Sequence, residues 1–178
     1  MKKRTHLTST SLLFFISGLF LLGTLALSCS SKIKKTDVII YLVRHAEKDL
    51  TDPTDNPPLT TEGEARALEL VNELDKVSLE AIYSTEYQRN INTVKPLSIE
   101  KGIDIQNYVA NDWEPMLDQI KDMKGKAFLI CGHGDNLLPM IDYFGLDRPI
   151  DELGHLEYDK LFKIQLSDDT SIIEMKSY

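Results

Sequence analysis

Positive charge is scarce in this chain of 178 residues, which carries 20 Lys and Arg against 28 Asp and Glu, a formal charge of −8. A surface of that sign repels polyanions, so nucleic acid is not an expected partner. Any site for a small anion must then be a local cluster of cations. Histidine and cysteine are rarer still, at four and two. No two histidines stand at the close spacing of a metal-ligand pair, so no metal and no cofactor are expected. There is no internal repeat, low-complexity segment or coiled-coil heptad. What remains, 42% hydrophobic and 27% charged, suits one globular domain with its own core.

The first 28 residues stand apart from that core. Lys2, Lys3 and Arg4 form a basic segment, and an apolar stretch from about Leu12 to Leu27 ends at Cys29. Ala26 and Ser28 precede the cysteine, and Ser30 and Ser31 follow it. The arrangement resembles a bacterial lipoprotein signal, whose cysteine is lipidated and becomes the mature N-terminus. It departs from that pattern at Ala26, where Leu is usual. The alternative is an uncleaved membrane helix, although the stretch falls short of the roughly 18 to 20 apolar residues a span needs. Both readings place the rest of the chain outside the cytoplasm, anchored at a periplasmic or outer-membrane face. Loss of residues 1–28 leaves 17 Lys and Arg against 28 Asp and Glu, a charge of −11. With Cys29 given to the lipid, only Cys131 is left, so no intramolecular disulfide can form. Residues 29–36 read as a polar, basic tether, and the domain as residues 37–178.

From Asp37 the run Val38 to Val43 is apolar on both faces, as in a central strand covered by helices on each side. After a loop rich in Asp, Thr and Pro, Thr61 and Glu64 have capping-box spacing, and Ala67, Leu70, Val71 and Leu74 follow a helical period. Strands near 79–83, 103–109 and 126–131 alternate with helices near 86–100, 114–123 and 137–144, the first kinked at Pro96. Near the C-terminus, 161–166 and 171–175 flank a turn at 167–170. The expected fold is α/β, a three-layer sandwich with a mostly parallel central sheet flanked by helices and an antiparallel C-terminal element.

Arg44-His45-Ala46-Glu47 stands at the carboxyl end of the first apolar strand, where open α/β sheets place their ligands. Gly132-His133-Gly134 ends a later buried strand, Arg89 opens the helix after Ser84-Thr85, and Pro57-Pro58-Leu59-Thr60 opens the first helix. All four point at one crevice. On these motifs the chain resembles the histidine phosphatase superfamily, which also contains phosphoglycerate mutases. The family's Arg-His-Gly/Ala-Glu element is Arg44 to Glu47, and its Leu-Thr-x-x-Gly segment is Leu59 to Gly63. Its Ser-x-x-x-x-Arg-x-x-x-Thr segment runs from Ser84 to Thr93, and its Gly-His segment is Gly132-His133.

The resemblance implies a covalent mechanism in which a neutral imidazole of His45 attacks phosphorus. Arg44 and Arg89 would bind the non-bridging oxygens, and His133, if protonated, would donate a further hydrogen bond. Glu47 and Asn136 join the expected substrate-binding set, Glu47 by orienting the loop and Asn136 from behind it or as a helix cap. Lys48 is a solvated charge or a substrate contact, and Tyr83 and Tyr87 read as packing residues. For the leaving-group acid, relatives carry a glutamate where this chain has Asn111-Asp112-Trp113-Glu114; Asp112 is preferred over Glu114, with a helix cap as its plain alternative. Asp135 departs from the family pattern by adding an acidic residue beside the second histidine. The loop 48–58 and the stretch 100–112 are too short for a lid, as in the small lidless relatives. That favours hydrolysis over mutase chemistry, and an exposed phosphate on a phosphoprotein, glycan or lipid head group. The contrasting reading is a non-catalytic lipoprotein that binds phosphate-bearing ligands.

Overall fold

The centre of the molecule is β1 (Val38–Arg44), six of whose seven residues are buried. The computed structural model describes residues 33–178, so the expected signal, the lipidation site Cys29 and the first part of the tether lie outside the described residues. After β1 come α1 (Thr61–Glu73), β2 (Ala81–Ser84), α2 (Gln88–Lys101), β3 (Ile105–Asn107), α3 (Glu114–Ile120), β4 (Ala127–Gly132), α4 (Leu137–Tyr143), β5 (Lys160–Leu166) and β6 (Ile172–Ser177). No described helix is long and apolar enough to cross a membrane.

The strands form one sheet in the order β3-β2-β4-β1-β5-β6. Pairings β1·β4, β2·β4 and β2·β3 are parallel, whereas β1·β5 and β5·β6 are antiparallel. Because side chains alternate along a strand, the two faces carry separate cores. Ile40, Leu42, Phe128 and Ile130 pack with Met116, Leu117 and Ile120 of α3 and with Leu137, Met140 and Ile141 of α4. Val43, Ile82, Leu129 and Cys131 pack with Leu70 and Leu74, in and just after α1, and with Val94 and Leu97 of α2. This is the three-layer α/β arrangement, and the free thiol of Cys131 is fully buried in the second core. Truncating a fully buried ring such as Phe128 to Ala would cost about 3 to 5 kcal/mol.

At the start of β1, Asp37 accepts hydrogen bonds from Lys34 N (2.6 Å), Ser167 Oγ (2.7 Å) and Gln165 Nε2 (2.8 Å). The carboxylate thus ties the entry of the domain to the end of β5, and these donors hold its pKa below the usual value.

Several boundaries differ from expectation. The cap of α1 is Thr60, whose side chain accepts from Gly63 N, so Thr61 and Glu64 do not form the capping box. Strand β3 is three residues long, since its partner β2 offers only Ile82 to Ser84 for pairing. Beyond it the chain turns back, with an isolated bridge between Val109 and Asp112. Helix α3 ends at Ile120, three residues early, because Met123 N and Lys124 N close tight turns that lead to Gly125 at φ 78°. Helix α2 runs through Pro96 to Lys101 and stops at Gly102 in a left-handed conformation.

Candidate active site

Parallel pairing of β1 with β4 sets Arg44 opposite Gly132, and His45 N donates to Gly132 O at 3.0 Å. The two histidine-bearing loops therefore leave neighbouring strands in register. Their rings meet edge to face with centroids 5.5 Å apart. Thr85, the residue after β2, places its Oγ1 3.1 Å from His133 Nε2.

His45 is buried, and its Nδ1 lies 2.8 Å from Ala46 O. A carbonyl can only accept, so Nδ1 carries the proton and Nε2 keeps a free lone pair. Burial drives the pKa of His45 down to about 3, with the Ala46 bond opposing and the charges of Arg44 and Arg89 adding to the fall. The imidazole is neutral at neutral pH, as a nucleophile must be. Ala46 N donates to Thr93 Oγ1 at 2.8 Å, and Thr93 Oγ1 donates to Arg89 O at 2.7 Å. The threonine that ends the Ser84 to Thr93 motif thus holds the loop of His45 against α2.

The two arginines reach the site from different sides. Arg44 donates through one terminal nitrogen to Gly154 O (2.9 Å) and Glu157 O (3.1 Å), and its guanidinium lies 4.5 Å above the ring of Tyr158. Arg89 donates to Asp55 O at 3.3 Å and lies 4.3 Å above the ring of Tyr87. In both residues Nε is buried without a partner. The charges of both arginines act on His45, and guanidinium groups are suited to bind an acceptor such as a phosphoryl oxygen.

The pKa of His133 falls to about 4, chiefly through burial and then through Arg89. The ring is therefore neutral at neutral pH, and a bound dianion would favour its protonated form. Lys48 is among the charges that lower it, and Asp135 opposes them.

The remaining candidates are distributed differently from expectation. Glu47 gives its carboxylate to Arg66, with contacts of 2.7 to 3.0 Å, and Arg66 donates on to Tyr178 O. It anchors the loop to α1 instead of facing a ligand. Asn136 accepts from His133 N at 2.8 Å and donates to Ala110 O at 3.2 Å, so its amide is spent on the loop. It stands at the start of α4 but makes no side-chain cap bond. Asp112 is exposed and pairs with Val109 in an isolated bridge, and Trp113, not Asp112, is the cap residue of α3. Glu114 is the exposed first residue of that helix. Neither acts on the pKa of His45, His133, Arg44 or Arg89, whereas Asp135 acts on the last three.

Tyr83 is a packing residue against Phe128, but Tyr87 sits at the site, edge-on to His133 at 5.3 Å and beneath Arg89. Sequence reasoning assigned no role to Thr85, Asn90 or Tyr158. Asn90 donates to Gly132 O at 2.8 Å and so ties α2 to the end of β4. No local pattern marks Tyr158, which stands in the loop before β5. Among the described residues no three His, Cys, Asp or Glu side chains gather as a metal site would require.

Residues 40–112 match the family model described as histidine phosphatase superfamily, branch 1. No curated protein matches the chain by sequence. The fold is similar to that of the protein histidine phosphatase SixA solved with tungstate, at TM-score 0.58 and 17% identity over 78% of this chain and 96% of that one. It is also similar to the alpha-ribazole phosphatase of Shigella flexneri, at TM-score 0.61 and 15% identity over 79% and 96% of the two chains. YhfR of Bacillus stearothermophilus aligns at TM-score 0.59 and 20% identity, over 76% and 95%. The matched segment contains Arg44, His45 and Arg89, and His133 lies beyond it on the sheet whose fold these structures share.

Proposed function

We propose that the protein is a metal-independent phosphatase that hydrolyses phosphomonoesters or phosphoramidates through a phosphohistidine on His45. The observation that carries this reading is the free Nε2 of a neutral His45, whose ring meets that of His133 and lies within reach of the charges of Arg44 and Arg89. Nε2 forms a bond to phosphorus as the bond to the leaving group breaks, and the leaving oxygen or nitrogen takes up a proton. Charge on the transferring oxygens meets Arg44, Arg89 and His133. Water then attacks the phosphohistidine, releasing phosphate and restoring the neutral ring. The phosphatases named among the similar structures support the general class of reaction and leave the substrate open.

The test is phosphate release from an aryl phosphate in EDTA, comparing wild type with His45→Ala. Activity that survives EDTA and disappears in the variant is the expected result. Activity abolished by EDTA would sink the mechanism, and isomerisation of a phosphoglycerate faster than phosphate release would favour a mutase.

The same reading places the enzyme at a membrane of the cell envelope through a lipid on Cys29, supported by the pattern of residues 1–31. Cys29→Ser would then move the protein from the membrane to the soluble fraction; retention in the membrane would speak for an uncleaved helix.

A further inference from the structure

A second cavity, of about 260 Å³, opens beside His133 and is lined by Thr85, Glu86, Tyr87, Asn107, Val109 and Asn111, among others. It shares two residues with the phosphate site. Thr85 Oγ1 touches His133 Nε2, and Tyr87 packs on the His133 ring while carrying Arg89 on its face. A group attached to a phosphoryl held by His133 and Arg89 therefore has this cavity next to it. Its volume lies below the roughly 300 to 1,000 Å³ of sites for drug-sized ligands, which suits one ring or a short polar fragment.

The lining contains no Lys, Arg or His. A leaving group bearing its own phosphate or carboxylate would find no cation there, and would meet Glu86 in the wall. The side chains of Glu86, Asn107 and Asn111 make no hydrogen bond to any other described residue; all three are exposed. One carboxylate acceptor, two amides that both donate and accept, and an aromatic ring form a set that vicinal hydroxyl groups and their C–H faces satisfy.

We propose that this cavity is the leaving-group subsite and that it takes an uncharged, hydroxyl-bearing group of sugar-ring size. The assignment rests on the phosphatase reading above and narrows it to phosphorylated sugars, free or at the end of a glycan.

The experiment is a comparison of kcat/KM for a hexose phosphate, a phosphorylated oligosaccharide, 3-phosphoglycerate, an N-phosphorylated imidazole and an aryl phosphate. Wild type, Asn107→Ala/Asn111→Ala and Asn111→Lys are assayed side by side. Either sugar substrate should exceed 3-phosphoglycerate by about tenfold or more in the wild type. The double variant should lower the ratio of sugar to aryl phosphate turnover by about tenfold, through KM. Asn111→Lys should shift preference toward 3-phosphoglycerate. If the wild type hydrolyses the aryl phosphate but favours 3-phosphoglycerate or the phosphorylated imidazole, or if the variants leave all ratios unchanged, the subsite assignment falls alone. If the wild type hydrolyses none of the five, the phosphatase reading falls and takes this one with it.

Discussion

Gly63 packs its bare α-carbon against the backbone of Glu47: a Cβ at Gly63 would stand 2.3 Å from Glu47 O. The contact is reinforced by Thr60 N, which donates to Glu47 O at 2.9 Å, and by the bridge between Lys48 and Leu59. The Leu59 to Gly63 segment thus shapes the loop that carries His45, the nucleophile of the proposed mechanism.

Gly63→Ala must push that loop away, because the atoms its Cβ would meet, Glu47 O, N and C, are all backbone. A shift of about 1 Å at a nucleophile can cost on the order of a hundredfold in rate. We expect such a loss in kcat with a stability loss of about 1 to 3 kcal/mol, read from steady-state kinetics and urea denaturation. Wild-type kinetics in the variant would show that the loop has slack the packing does not suggest.

Thr93→Val removes the oxygen that accepts from Ala46 N and leaves a buried donor unpaired. The expected destabilisation is about 1 to 3 kcal/mol, with a fall in kcat because Ala46 also orients His45. Thr93→Ser keeps the oxygen and should recover most of both. Equal damage from Ser and Val would point instead to the lost methyl packing.

Stability should fall in acid for a specific reason. His45 and His133 titrate near 6.5 when unfolded but near 3 and 4 in the fold. Below about pH 6.5 the unfolded chain takes up protons that the folded chain refuses, so stability drops as pH falls from 6.5 toward those lower values. Urea midpoints between pH 7 and 4 should trace this slope, and His45→Asn should flatten it. Because the nucleophile stays neutral, the acid-side pKa of kcat/KM, corrected for substrate ionisation, should lie below 6.5. A limb at 6.5 or above would mean that His45 titrates as an ordinary exposed histidine.

Asp135 is the carboxylate whose charge reaches Arg44, Arg89 and His133. Asp135→Asn removes that charge, so inhibition by phosphate or tungstate should tighten about threefold at low salt and less at high salt. Asp112→Asn, at an exposed position that acts on none of the three, should change inhibition less. Tighter inhibition from Asp112→Asn than from Asp135→Asn would place Asp112, not Asp135, nearer the bound anion.

Much of the architecture was legible in the chain. An apolar run without alternation made β1 a central strand, and alternating strand and helix patterns announced layers on both faces. These are local records of burial, because each element must match its own periodicity to the face it hides. The motif residues were legible as identities through the family resemblance, at strand ends for His45 and His133 and in a helix for Arg89.

What the linear pattern could not carry is any property created by residues far apart in sequence. Arg44 is held by the carbonyls of Gly154 and Glu157 and by the ring of Tyr158, more than a hundred residues away. Glu47 and Asn136 were expected to support the site from behind, but nothing local marks Arg66 and Ala110 as the partners that hold them. Strand β3 stopped where β2 ran out of partners, which no propensity within residues 103–109 records. The sequence by itself determined which side chains were available for phosphoryl chemistry and which strand ends presented them. Only the tertiary structure decided their chemical states: burial made both histidines neutral, the Ala46 carbonyl fixed which nitrogen of His45 is free, and packing left two guanidinium donors unpaired.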